Sequence, residues 1–144
     1  MIILVVKLIF VLACLTYASY SDLKTRKVPN KLWLFMLAPL PLFIVTEPLI
    51  QVLISFLCCA AFAYLFFVLH FWGAADAKAV MLLSLYFPYF FYPLPLTIWV
   101  VLIASIVGVI VHWKDLIGFN LRNKHPFMPF LAVGFLSSFP LLYI

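Results

Sequence analysis

The sequence predicts an all-α fold, a polytopic membrane helical bundle of about six transmembrane helices. Hydrophobic types make up 69% of the 144 residues and charged types 9%, with a mean hydropathy of +1.28. A soluble domain carries roughly 45–50% apolar and about 25% charged residues. This chain therefore has too few polar side chains to cover a surface in water. Its apolar runs are too continuous for a soluble amphipathic helix and too long for alternating barrel strands. Backbone polar groups in lipid must be satisfied within each span, which leaves helices as the economical solution. Residues 1–144 read as one transmembrane domain with no separate soluble domain.

Six spans follow in order. The first runs from about Ile2 to Tyr20. It lacks the basic start of a signal peptide, and "YASYSDLK" is a weak cleavage site, so it reads as a retained span. The second, about Lys31 to Thr46, is short and contains Pro39 and Pro41. The third is about Leu49 to Trp72 and the fourth about Ala77 to Tyr92. Prolines at "YPLPL" interrupt the helical ladder and mark a tight turn. The fifth is about Leu96 to Trp113 and the sixth about Pro126 to Ile144. Spans two and four are short for a hydrocarbon core of roughly 30 Å, which implies a kink or a thinned bilayer. Cys14, Cys58 and Cys59 lie inside spans without C-x-x-C spacing, so helix packing is a better reading than zinc or disulfides.

The basic residues give this bundle a direction. Lys24, Arg26, Lys27 and Lys31 follow span one, Lys78 follows span three, and Lys114, Arg122 and Lys124 follow span five. Eight of nine Lys and Arg thus fall on one side of an alternating chain. An excess in short loops marks the cytoplasmic side. Both termini are expected outside, in a multi-pass protein of the cell membrane. Lys7, the ninth, is expected to snorkel outward. The net charge of +5 is mostly this orientation signal, and its partner is the lipid bilayer, not nucleic acid.

Only four carboxylates exist. Glu47, in the basic-free outer loop, reads as solvated, and Asp115, after Lys114, as a local ion pair. Asp22 and Asp76 differ, because each sits where an apolar span meets the cytoplasmic face. An ionisable group at membrane depth is costly and points to function. Either could instead cap a helix. As a pair they can do more: like-charge repulsion keeps one protonated while the other stays ionised. One member can then activate water and the other donate a proton. Gly73, Ala74 and Ala75 leave room for a substrate backbone beside Asp76. His70, His112 and His125 form no competing nucleophile–base arrangement, and no metal or other cofactor is expected.

"SDLKTRKVPNKL" and "GAADAKAV" resemble the two signature regions of the type IV prepilin peptidases, membrane aspartic proteases that include the archaeal preflagellin peptidases. The first signature matches Asp22, Lys24, Arg26, Val28, Pro29 and Asn30; the second matches Gly73, Asp76, Ala77 and Lys78. "HPFMPFLAVGF", from His125, resembles the family's proline-rich entry into the last span. The resemblance implies one peptidase domain with Asp22 and Asp76 as the catalytic pair. Its partners would be prepilin- or archaellin-like precursors, cut at the cytoplasmic face between a short basic class III leader and an apolar helix. Ala75 stands where the family's G-x-G-D turn has a second glycine. A left-handed backbone there would reduce activity, whereas a helical one would accept alanine. The paired C-x-x-C motifs of the bifunctional members are missing, so no methyltransferase activity is expected.

On that resemblance, Gly73, Ala74, Ala75, Lys78, Lys24, Arg26, Pro29 and Asn30 are the motif and substrate-approach residues. Lys78 is read as snorkelling, or else as tuning Asp76 or holding a substrate carbonyl. Lys24, Arg26 and Lys27 are read as topology signals, since they would repel a basic leader. A presenilin-like protease is the neighbouring enzyme class, but Ser21 separates Tyr20 from Asp22. The alternative outside enzymes is a membrane assembly or transport protein that uses Asp22 and Asp76 as a proton or cation site.

Overall fold

The computed structural model describes residues 2–25, 27–69, 72–91, 94–111 and 128–137. Seven helices lie among them: α1 (Ile2–Thr25), α2 (Asn30–Leu37), α3 (Leu40–Ile44), α4 (Leu49–Val68), α5 (Ala74–Tyr86), α6 (Leu96–Val111) and α7 (Met128–Ser137). Two-residue strands β1 (Phe90–Phe91) and β2 (Leu94–Pro95) pair antiparallel at the predicted proline turn. The fold is all-α. Arg26, Lys114, Asp115, Arg122, Lys124 and all three histidines lie outside the described residues, as do parts of predicted spans five and six.

Two helices, α1 and α4, are long and apolar enough to cross a membrane. Their outer faces carry bare apolar side chains: Ile9 is 66% exposed and Leu57 64% exposed. A soluble monomer rarely leaves such surface contiguous, and the chain is a membrane protein. Predicted span two is two helices. Pro39 and Pro41 lack the N–H groups that would serve carbonyls four residues back, and the ladder breaks at Ala38–Pro39. Predicted span three ends earlier, at Val68, and predicted span four occupies Ala74–Tyr86 instead of Ala77–Tyr92.

α5 is the central helix. It packs against α4 along its length and touches α2, α3 and α6, while α7 packs between α1 and α6. Ala77, Ala79, Val80, Leu82, Leu83, Ser84 and Tyr86 are buried around most of its circumference. A helix apolar all round belongs in a bundle's interior. That position tolerates a rise of only about 20 Å, since neighbours and not lipid cover it. Gly134 on α7 allows a close approach to α6: a Cβ there would collide with the Val100 carbonyl.

Tyr86 ties α5 to the broken span. Its hydroxyl donates to the Met36 carbonyl of α2, inside the bundle and next to the proline break. Tyr86→Phe would leave that carbonyl with one partner fewer. The expected loss is about 1 kcal/mol, read as a lower unfolding midpoint in detergent; an unchanged midpoint would show that the bond contributes nothing.

Lys7 and Glu47 correct the sequence reading. Lys7 does not snorkel, and Glu47 is not merely solvated. Lys7 is 1% exposed, and its Nζ donates to Glu47 Oε1 at 2.7 Å. The Tyr89 hydroxyl donates to the same oxygen at 2.7 Å. The Phe43 ring lies beneath the ammonium, 5.9 Å from Nζ to its centroid. A buried charge needs both a counter-charge and hydrogen bonds, and α1, the α3–α4 connection and the segment after α5 supply them together. This cluster marks one end of the bundle. Asp22 is 15 residues further along α1, about 22 Å away by helical rise.

Candidate active site

Asp22 lies at the other end, half-buried in the last turn of α1, which continues past the predicted span end at Tyr20 to Thr25. The loop beyond it is folded back by two hydroxyls. Ser21 Oγ donates to the Lys27 carbonyl at 2.7 Å, and Thr25 Oγ1 donates to the same carbonyl at 3.0 Å. Pro29 then sets an extended φ of −66° and caps α2, whose first residue is Asn30. Leu32 N–H returns to the Pro29 carbonyl at 3.0 Å. The Lys27 carbonyl is thus held against the last turn of α1 just before α2 begins.

Asp76 sits in the first turn of α5, before the helix's apolar stretch begins at Ala77. Its Oδ2 accepts the Gly73 N–H at 2.9 Å, so the capping role weighed for this residue is real. Gly73 has an extended backbone, φ −78° and ψ 164°. A Cβ there would stand 3.3 Å from Asp76 Oδ2, so the carboxylate would have to give by a few tenths of an ångström. Ala75 is inside the helix, where alanine is the most favourable residue. The missing second glycine therefore costs the backbone nothing. Gly73 and Ala74 are exposed and carry almost no side chain, leaving the approach to Asp76 open.

Capping normally lowers a carboxyl pKa, and a helix N-terminus favours the anion. Here burial outweighs both. It pushes the Asp76 carboxyl up from 3.8 to about 6; the Gly73 hydrogen bond opposes this, and the negative charge of Asp22 adds to the rise. The two aspartates, 54 positions apart in sequence, therefore feel each other across the fold. Such a pair can keep one proton between two carboxyls where isolated carboxyls would both be ionised.

The other motif residues divide. Lys78 neither snorkels freely nor contacts Asp76: its Nζ donates to Asn30 Oδ1 at 2.8 Å, joining the two signature segments. Lys24 reaches back along α1 to the Tyr20 hydroxyl at 3.4 Å and lies over that ring. Pro29 is exposed, and Arg26 is outside the described residues. Sequence reasoning missed Ser21 and Thr25. A hydroxyl one position before Asp22 and another four residues on, ahead of a Pro-Asn step, was the available signal.

No curated protein and no solved structure matches the chain. The model of the type IV leader peptidase family matches residues 9–113. That stretch holds both signature segments, Asp22–Asn30 and Gly73–Lys78, and the chain belongs to the type IV leader peptidase family, a family of leader-peptidase-type aspartic proteases.

Proposed function

We propose that the chain is a single-domain, multi-pass membrane endopeptidase that removes the short basic leader of prepilin- or archaellin-like precursors at the cytoplasmic face. Asp22 and Asp76 are its catalytic pair. One observation carries this reading: the Asp76 carboxyl, raised to about 6 by burial and by the charge of Asp22, stands beside an open Gly-Ala approach. Family membership supports the reaction class. The alternating distribution of Lys and Arg supports the sidedness, with both termini outside. The gathering of Lys7, Glu47 and Tyr89 at the far end of the bundle agrees with it, because Glu47 belongs to a predicted outer loop and Lys7 and Tyr89 lie toward the outer ends of predicted spans one and four.

The precursor's apolar helix lies in lipid, and the scissile bond enters between the carboxyls. The ionised member takes a proton from water as that water attacks the carbonyl carbon. The protonated member donates to the carbonyl oxygen, giving a tetrahedral intermediate. The pair then gives its proton to the leaving nitrogen while a hydroxyl of the intermediate returns one to a carboxylate, the C=O re-forms and the C–N bond breaks. Net, one water is consumed and the pair regains its starting single proton. Incubation of the purified protein in detergent with a precursor of this type should yield the shortened product with no gradient present. An intact precursor would sink the reading.

The raised carboxyl sets a pH dependence. Raising pH through about 6 removes the Asp76 proton and leaves two anions with none to share. The kcat/KM profile should thus fall on its alkaline side near pH 6. The kcat profile should fall at higher pH, since bound substrate dehydrates the site further. A rate flat from pH 5 to about 8 in both parameters would contradict this. For stability the sign is the same: the contribution of protonated Asp76 is complete below pH 3.8 and disappears as pH rises through about 6.

A further inference from the structure

Asp22 and Asp76 come from helices that touch little of each other directly, yet their carboxyls must be held together to share a proton. Asp22 is in the last turn of α1. The Ser21 and Thr25 hydroxyls fix the Lys27 carbonyl to that turn. Pro29 stiffens the next step and delivers Asn30 at the start of α2. Every link so far is local. Lys78 Nζ to Asn30 Oδ1, at 2.8 Å between residues 48 apart, carries that segment across the fold to α5. Lys78 is two residues after Asp76, so it leaves α5 about 200° around the helix from that carboxylate. It acts on the helix, not on the carboxyl. At the far end, the Tyr86 hydroxyl already ties α5 to Met36 of α2. The two helices run parallel, fastened at both ends.

We propose that Lys78 and Asn30 form a clamp that sets where the first turn of α5 presents Asp76 to Asp22, and that both are positioning residues. The proposal rests on Asp22 and Asp76 being the catalytic pair. Both clamp residues are exposed, so their bond adds little to the stability of the bundle. Its loss leaves the fold standing and frees only the Asp76 end of α5. Misplacement of a reacting group by about 1 Å can cost about 10²-fold in rate.

The test is kinetic, on the full chain in detergent with a precursor substrate. Lys78→Met and Asn30→Ala should each lower kcat about tenfold or more while KM stays within about twofold and the unfolding midpoint is kept. The double variant should be no slower than the slower single one, because the two share one bond. Asn30→Asp keeps an acceptor for the ammonium and should keep kcat. A rise in KM at constant kcat would make Lys78 a substrate contact and overturn the clamp. So would additive losses, or an Asn30→Asp variant as slow as Asn30→Ala. Asp76→Asn separates the two levels. Cleavage that persists in Asp76→Asn defeats the catalytic pair, whereas a dead Asp76→Asn beside an unimpaired Lys78→Met defeats the clamp alone.

Discussion

Asp76→Asn is expected to lower precursor cleavage by about 10²–10⁴-fold, the range that a positioned general acid or base contributes. Asn keeps the size and polarity of the side chain, and its amide oxygen can still accept the Gly73 N–H that caps α5. The helix start should survive, which separates chemistry from folding. Asp22→Asn should cost as much, since neither member can perform its half of the proton transfer alone. The double variant should be no slower than either single one, as groups acting as a unit are strongly non-additive. A proton or cation site would behave otherwise, because each carboxylate would contribute part of the binding and the losses would add. Residual cleavage in the three variants, against a mock preparation, decides between them. Measurable activities with additive losses would rule out a shared proton.

The second large effect is at the opposite end of the bundle. Lys7→Met should destabilise the protein by about 3–5 kcal/mol, because it leaves the Glu47 carboxylate inside the cluster without its counter-charge. Glu47→Gln should cost a similar amount by stranding the Lys7 ammonium, which is 1% exposed. The double variant removes both charges at once and should recover most of the loss. A buried ion pair is costly to break and cheap to replace whole. Unfolding midpoints in denaturing detergent report this directly. Single variants as stable as the parent would show that water reaches the pair. In the folded fraction, cleavage should be unchanged, with the cluster about 22 Å from Asp22 along α1.

These two sites differ in how far they could be read from sequence. Asp22 and Asp76 stood out because a chain with four carboxylates places two of them at span ends among basic residues. The pairing of Lys7 with Glu47 did not stand out, since 40 positions separate them and each has an ordinary local explanation. A lysine near a helix end reads as snorkelling, and a glutamate beside proline reads as solvated. The same limit hid the role of Lys78. A basic residue at a span boundary looks like an orientation signal, and only the arrival of Asn30 beside it gives it a partner. Span two failed for a different reason. Its prolines were visible, but whether they kink a helix or divide it depends on what packs around the break, and Tyr86, which takes the nearby Met36 carbonyl, is 50 positions away.

What the sequence determined by itself is the apolar, helical character of the chain and which ionisable groups it has to offer. Hydrophobic content, charge placement and the two aspartates act locally or in sum, so no tertiary knowledge is needed to read them. Only the tertiary structure decided which helix is central and which charges meet. α5 is interior because α2, α3, α4 and α6 cover it, and that burial lifts the Asp76 carboxyl out of the ordinary carboxylate range. Desolvation and long-range pairing depend on neighbours in space, and a sequence lists only neighbours along the chain.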